Sequence, residues 1–219
     1  MPEALAFDMY GTLVDLGAIT ERLEPHDLDA VTTARRWRET QLRYATLLTA
    51  MERYEDFGWV TARALDHALA ETGTDLDVAA RSELVAAFEE LPAHPDTLPA
   101  LERLRAAGHT LMVFSNGTRA MIESVLAAAG IADPFEDVVS VEEVRRFKPA
   151  PEVYRHAAGR LGREIGEAWL VSANPFDVIG AASAGMRTAW VDRSGAAFDP
   201  LGPEPKLVVR DLGELADAL

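Results

Sequence analysis

Cysteine is absent from the sequence, and that absence closes several routes at once. No disulfide framework, thiolate nucleophile or Cys-ligated zinc site can be built. Positive charge is scarce: 21 Lys and Arg stand against 36 Asp and Glu, for a net charge of −15. So acidic a chain lacks the basic face that nucleic acid and anionic membrane surfaces require, and neither is an expected partner. An anionic small substrate stays compatible, because one basic pocket can exist on an acidic surface. Long apolar runs are missing too. None approaches the about 20 residues that span a bilayer, and no basic segment precedes an apolar one at the N-terminus. The expectation is a soluble, cytoplasmic protein. His26, His67, His94, His109 and His156 show no metal-ligand spacing and are read as surface or core residues.

What is there suffices for a sizeable core: 219 residues, 48 % hydrophobic and 26 % charged. Short apolar runs recur at Ala4–Phe7, Thr110–Ser115, Asp137–Ser140, Ala168–Ser172, Thr188–Asp192 and Leu207–Val209. They are continuous rather than alternating, the pattern of strands buried on both faces of a parallel sheet. Helical segments between them close on Gly108, Gly130, Gly162 and Gly185, suited to the left-handed position past a helix end. Strands alternating with helices predict an α/β fold with a doubly wound parallel sheet. Residues 16–95 break the pattern. Val31, Ala34, Trp37, Leu42, Ala45, Leu48, Met51 and Tyr54 recur at helical spacing, and two more helices are predicted over 59–73 and 78–91. The reading is a core of residues 1–15 and 96–219, with a helical cap, 16–95, inserted after the first strand. Residues 194–205, rich in Gly and Pro, read as a loop.

Ligands of open α/β sheets bind beyond the carboxyl ends of the strands. Those ends carry Asp8, Tyr10 and Thr12 after the first strand, and Ser115 and Asn116 after the second. Lys148 follows the third, and Ser172, Asn174 and Asp177 follow the fourth. Taken singly, each has a plainer explanation: turn residue, helix cap, surface lysine, or a carboxylate favoured by a helix dipole. Four such sets meeting at one end of one sheet favour a site. Asp8 is a candidate nucleophile, able to form a covalent ester or acyl phosphate. It needs a cation nearby to stay ionised, and Lys148 is the natural supplier. Asp177 is a candidate general base.

Four stretches, "FDMYGTLVD", "FSNGT", "KPAPEVY" and "VSANPFDVIGAASAGM", resemble in order the four motifs of the haloacid dehalogenase superfamily. Most of that superfamily are Mg²⁺-dependent phosphatases, which resemble DxD at the first motif and V-G-D-S-x-x-D at the fourth. Here those acidic places hold Tyr10 and Ala173. Tyr10, Asn174, the Lys148-to-Tyr154 spacing and "WRETQLRY", with Arg38 after Trp37, resemble the metal-independent L-2-haloacid dehalogenase branch instead. That resemblance implies a Rossmann-like core with a cap, and conversion of short L-2-haloacids or haloacetates to D-2-hydroxy acids or glycolate plus halide. It implies that Asp8, oriented by Thr12, attacks C2 to give an aspartyl ester, with Arg38 and Asn174 receiving the halide. Ser115, Asn116 and the backbone near Met9 would grip the substrate carboxylate. Lys148 would pair with Asp8, supported by Tyr154 and Ser172, and Asp177 would activate water. Tyr10, Leu42, Phe57 and Phe176 would wall the pocket, their plainer reading being core or cap packing. A homodimer through the cap, with Leu47 and Leu48 at its surface, is also implied. Phe176 stands where the branch typically has Trp, preceded by Pro175, and Ala173 replaces a common Ser, which bears on substrate preference. Two other readings stay open: a phosphatase or phosphomutase of the same superfamily, and a non-catalytic small-carboxylate binder.

Overall fold

The protein is described by a computed structural model covering residues 1–26 and 28–219. Six strands, β1 (Ala4–Phe7), β2 (Thr110–Ser115), β3 (Asp137–Ser140), β4 (Ala168–Ser172), β5 (Arg187–Val191) and β6 (Leu207–Val209), form one sheet in the order β3-β2-β1-β4-β5-β6. Every neighbouring pair is parallel. The apolar runs become these strands because helices cover both faces; all four residues of β1 and all five of β4 are buried. Only β5 departs from the sequence expectation, lying one residue earlier at each end.

The winding reverses beside β1, with β2 and β3 on one side and β4 to β6 on the other. The crevice at such a reversal is where doubly wound sheets bind ligands. Register fixes what meets there. Phe7 pairs with Val113 on one side and Val171 on the other. The next residues, Asp8, Phe114 and Ser172, therefore emerge level with one another.

Between β1 and β2 run α1 (Gly17–Leu23), α2 (Ala30–Ala50), α3 (Phe57–Thr72), α4 (Val78–Ala86) and α5 (Thr97–Ala106). The chain leaves the sheet and returns alongside itself. Asp15 N–H donates to Pro92 O at 2.8 Å, and His94 N–H to Leu13 O at 3.0 Å. The remaining helices are α6 (Arg119–Ala128), α7 (Pro151–Arg160), α8 (Pro175–Ala184) and α9 (Leu212–Ala218). Part of the acidic excess serves as caps: Asp29, Asp56, Asp77 and Asp211 accept first-turn N–H bonds of α2, α3, α4 and α9. None of the described helices is long and apolar enough to cross a membrane.

Helix α2 differs from the expected stripe. It stops at Ala50, so Met51 and Tyr54 lie beyond it. Its buried face is Ala30, Thr33, Trp37, Thr40, Gln41, Ala45 and Leu48, while Val31 is exposed. Polar Thr33, Thr40 and Gln41 have taken inward places, and Gln41 Nε2 donates there to Thr61 Oγ1 of α3 at 2.7 Å. The end of α2 is clasped to the segment ahead of Lys148. Arg146 Nη1 donates to Thr49 O at 2.8 Å, Phe147 N–H donates to Thr49 Oγ1 at 3.0 Å, and the Tyr54 ring stacks on Phe147 at 5.3 Å.

Candidate active site

The crevice holds one buried polar cluster centred on Asp8, which keeps only 6 % exposure. Its two oxygens are treated differently. Oδ1 meets Lys148 Nζ at 3.0 Å. Oδ2 accepts from three donors: Thr12 Oγ1 at 3.0 Å, Ser172 Oγ at 3.2 Å and Asn174 Nδ2 at 2.7 Å. Local backbone explains the first of these. Met9 O accepts from the N–H groups of Thr12, Leu13 and Val14, a tight turn that folds Thr12 back over the carboxylate. Ala173 N–H in turn donates to Thr12 Oγ1 at 2.9 Å, locking the turn after β1 to that after β4.

Lys148 is 2 % exposed, and its ammonium donates to Asp8 Oδ1, to Asp177 Oδ2 at 2.9 Å and to Phe114 O at 2.9 Å. All three of its protons are thus placed. Burial works against its charge, but the carboxylates of Asp177 and Asp8 outweigh it and hold the ammonium above the ordinary lysine pKa. Burial pushes Asp177 above the ordinary carboxylate range; Lys148 pulls it partly back, and the Asp8 charge adds to the rise. Asp177 is thereby a stronger proton acceptor than a surface carboxylate.

Tyr154 Oη donates to Asp177 Oδ1 at 2.8 Å, so it supports the Lys148–Asp8 pair through Asp177 and not directly. Burial, and then the Asp177 charge, push its phenol well above the ordinary tyrosine range. Gly180 makes this contact possible: a Cβ there would lie 2.5 Å from Pro149 Cβ and 2.6 Å from Tyr154 Oη.

Asn174, expected to receive the halide with Arg38, lies against Asp8. Its Nδ2 donates to both Asp8 Oδ2 and Tyr10 O, the latter at 3.1 Å, which occupies both amide protons. Arg38, half-buried on α2, makes no bond into the cluster; its Nη1 donates to Gln41 Oε1 at 2.7 Å. Burial lowers its pKa, partly offset by the Asp8 carboxylate.

On the other side, Ser115 Oγ accepts from Gly117 N–H at 3.1 Å and keeps its own proton to donate. Asn116 Oδ1 accepts from Lys148 N–H at 3.0 Å, leaving the Asn116 amide N–H groups for a ligand. Met9 is fully buried. The Tyr10 ring meets Phe57 at 5.9 Å and Phe88 at 6.1 Å, and Phe57 meets Phe147 at 6.1 Å. Burial keeps the Tyr10 phenol protonated, and its Oη is buried without a hydrogen-bond partner among the described residues. Leu42, one turn beyond Arg38, and Phe176, in the first turn of α8, are half-buried. Phe176 has no ring partner among the described residues.

Sequence reasoning missed Gln41, Thr61 and Arg193. Arg193 Nη2 donates to Thr12 O at 2.9 Å while Asp96 holds the same guanidinium at 2.9 and 3.0 Å, bracing the turn from behind. The one available signal was the position of Gln41, a single helical turn after Arg38.

The donor set does not suit a divalent cation. Among the described residues no three His, Asp or Glu side chains are grouped to hold one. The remaining pair, Asp8 and Asp177, shares the Lys148 ammonium, at 3.0 and 2.9 Å.

Comparison with known proteins agrees across sequence and structure. A family model described as haloacid dehalogenase-like hydrolase matches residues 2–185. An (S)-2-haloacid dehalogenase of Pseudomonas putida is 37 % identical over 220 residues, covering 99 % of this chain and 97 % of that protein. A haloacetate dehalogenase of Moraxella sp. strain B is 34 % identical over 213 residues, covering 94 % and 93 % respectively. The structure of L-2-haloacid dehalogenase from Xanthobacter autotrophicus with chloropropionic acid covalently bound superposes with a TM-score of 0.92. The two are 31 % identical, and 99 % of this chain and 98 % of that one are covered.

Proposed function

The chain belongs to the haloacid dehalogenase-like hydrolase family, and from that premise we propose that it hydrolyses the carbon–halogen bond of short L-2-haloacids and haloacetates. The observation that carries this reading is the pairing of Asp8 with the Lys148 ammonium, in a site whose second acidic place is Tyr10. A halide departs without a proton, so no acid is needed beside the leaving group. Phosphoryl transfer would need both that acid and a metal to offset its charge.

The chemistry follows from the two unequal oxygens. Oδ1, with one partner against three on Oδ2, has the freer lone pairs and attacks C2. The C2–O bond forms as the C2–halogen bond breaks, its electrons leaving with the halide toward Arg38 and C2 inverting. Ser115 and Asn116 hold the substrate carboxylate, and Tyr10, Leu42, Phe57 and Phe176 line the space around C2. Asp177 then takes a proton from water, whose oxygen adds to the Asp8 carboxyl carbon. Negative charge develops on Oδ2, already faced by Thr12, Ser172 and Asn174. Collapse releases the alkoxide, which takes the second water proton and leaves as the D-2-hydroxy acid; Asp177 releases its own proton to solvent.

Residues 16–95 act as the cap that closes this site. The same segment presents exposed Leu47, Met51 and Trp59 around a cavity of about 560 Å³ between α2 and α3, and we assign this face to a homodimer contact. Light scattering at micromolar concentration gives a dimer mass, and a Met51→Glu substitution reduces it to a monomer. The setting is cytoplasmic, in keeping with a chain that has no cysteine to oxidise. The decisive assay is halide release from L- and D-2-chloropropionate in EDTA. Chloride from the L isomer alone, lost in Asp8→Asn, is expected. Mg²⁺-dependent phosphate-ester hydrolysis would overturn the assignment.

A further inference from the structure

Two buried polar residues, Gln41 and Thr61, take no part in the chemistry described so far, and both are 0 % exposed. They form a chain with one possible polarity. Arg38 Nη1 donates to Gln41 Oε1 at 2.7 Å, Gln41 Nε2 donates to Thr61 Oγ1 at 2.7 Å, and Thr61 Oγ1 donates to Phe57 O at 2.7 Å. A guanidinium can only donate and a backbone carbonyl can only accept, so the ends dictate the direction of every link between them. Trp37 Nε1 adds a bond to Thr61 O at 2.8 Å and ties α2 to α3 at the same point.

We infer that Gln41, backed by Thr61, is a positioning residue that aims Arg38 at the departing halide while leaving its charge whole. This rests on the dehalogenase reading. The argument is one of chemical type. A carboxylate at position 41 would also hold the guanidinium, but it would neutralise the charge that stabilises halide and would have no proton for Thr61. An apolar side chain would leave Arg38 free to turn and would take from the buried Thr61 oxygen the bond it accepts. An amide alone accepts from one side, donates to the other and carries no charge. Holding the donor in place beforehand lowers the reorganisation needed as charge develops.

The test compares wild type, Gln41→Glu, Gln41→Met, Thr61→Val and Thr61→Ser on L-2-chloro-, L-2-bromo- and L-2-iodopropionate, reading kcat/KM for halide release. That ratio reports ester formation, where the bond to halogen breaks. Gln41→Glu is expected to lose about tenfold or more on the chloro substrate, with progressively smaller losses on bromo and iodo, because better leaving groups need less stabilisation. Thr61→Val follows the same order more weakly, and Thr61→Ser restores the wild-type pattern. Should Gln41→Glu fail to fold, Gln41→Met and Thr61→Val carry the comparison. Equal loss on all three halides, or no loss, makes Gln41 a packing residue and overturns the inference while the dehalogenase reading stands. A folded wild type that releases no halide from any of the three overturns both.

Discussion

Replacing Tyr154 by Phe removes one oxygen and isolates one bond. The Tyr154 hydroxyl donates to Asp177 Oδ1 at 2.8 Å in a place with 0 % exposure. A buried bond to a charged acceptor contributes about 1.5–3 kcal/mol. In a domain of this size each kcal/mol moves Tm by about 2–4 °C, so a fall of roughly 3–12 °C is expected at neutral pH. The bond favours the ionised carboxylate, so its loss raises the Asp177 pKa further above the ordinary 3.8. Two signs follow. The stability gap between Tyr154→Phe and wild type is full where Asp177 is ionised and shrinks as pH falls through its titration. The acid limb of the kcat profile, where protonated Asp177 can no longer activate water, moves to higher pH. Melting curves and halide-release rates across the same pH series measure both. A Tm that falls with an acid limb unmoved would show that the limb belongs to another group, and the base assignment of Asp177 would fail.

Other outcomes are as specific. Asp177→Asn should form the ester but hydrolyse it poorly, so intact-mass spectra after L-2-chloropropionate show a 1-carboxyethyl group on Asp8; an unmodified mass with normal turnover refutes the assignment. Gly180→Ala places a Cβ against Pro149 and Tyr154 and is expected to cost about 1–3 kcal/mol in chemical denaturation, with activity falling as Tyr154 is pushed from Asp177. Lys148→Met leaves two buried carboxylates without their cation; about 3–5 kcal/mol of stability and all halide release should be lost, and a variant of unchanged Tm would show that the pair is not what stabilises the site.

The strands were legible because a doubly buried strand needs nothing but apolar residues, and the sequence supplies six such runs between helix-closing glycines. The core of the site was legible because Asp8, Ser115 and Ser172 sit at strand ends, where register brings Asp8 and Ser172 level and sets Ser115 one residue beyond them. What escaped was the handedness of individual bonds. Nothing in "VSANPFD" tells that Asn174 gives both protons to Asp8 and Tyr10, nor in "KPAPEVY" that Tyr154 answers to Asp177. The inward face of α2 was misread for a related reason. Apolar periodicity cannot reveal that Thr33, Thr40 and Gln41 turn inward, or that Gln41 meets a hydroxyl of α3 there.

The sequence has two lysines, Lys148 and Lys206. One is sealed between carboxylates at 2 % exposure, with its ammonium held protonated; the other stands in the open on the strand side of a surface loop. Amine-directed reagents attack the unprotonated form, so among lysines they are steered to a single address remote in sequence from every residue of the crevice. The enzyme can therefore be tethered to a resin or dyed through Lys206 with its turnover intact, and peptide mapping after labelling should find Lys148 unmodified until the fold is lost.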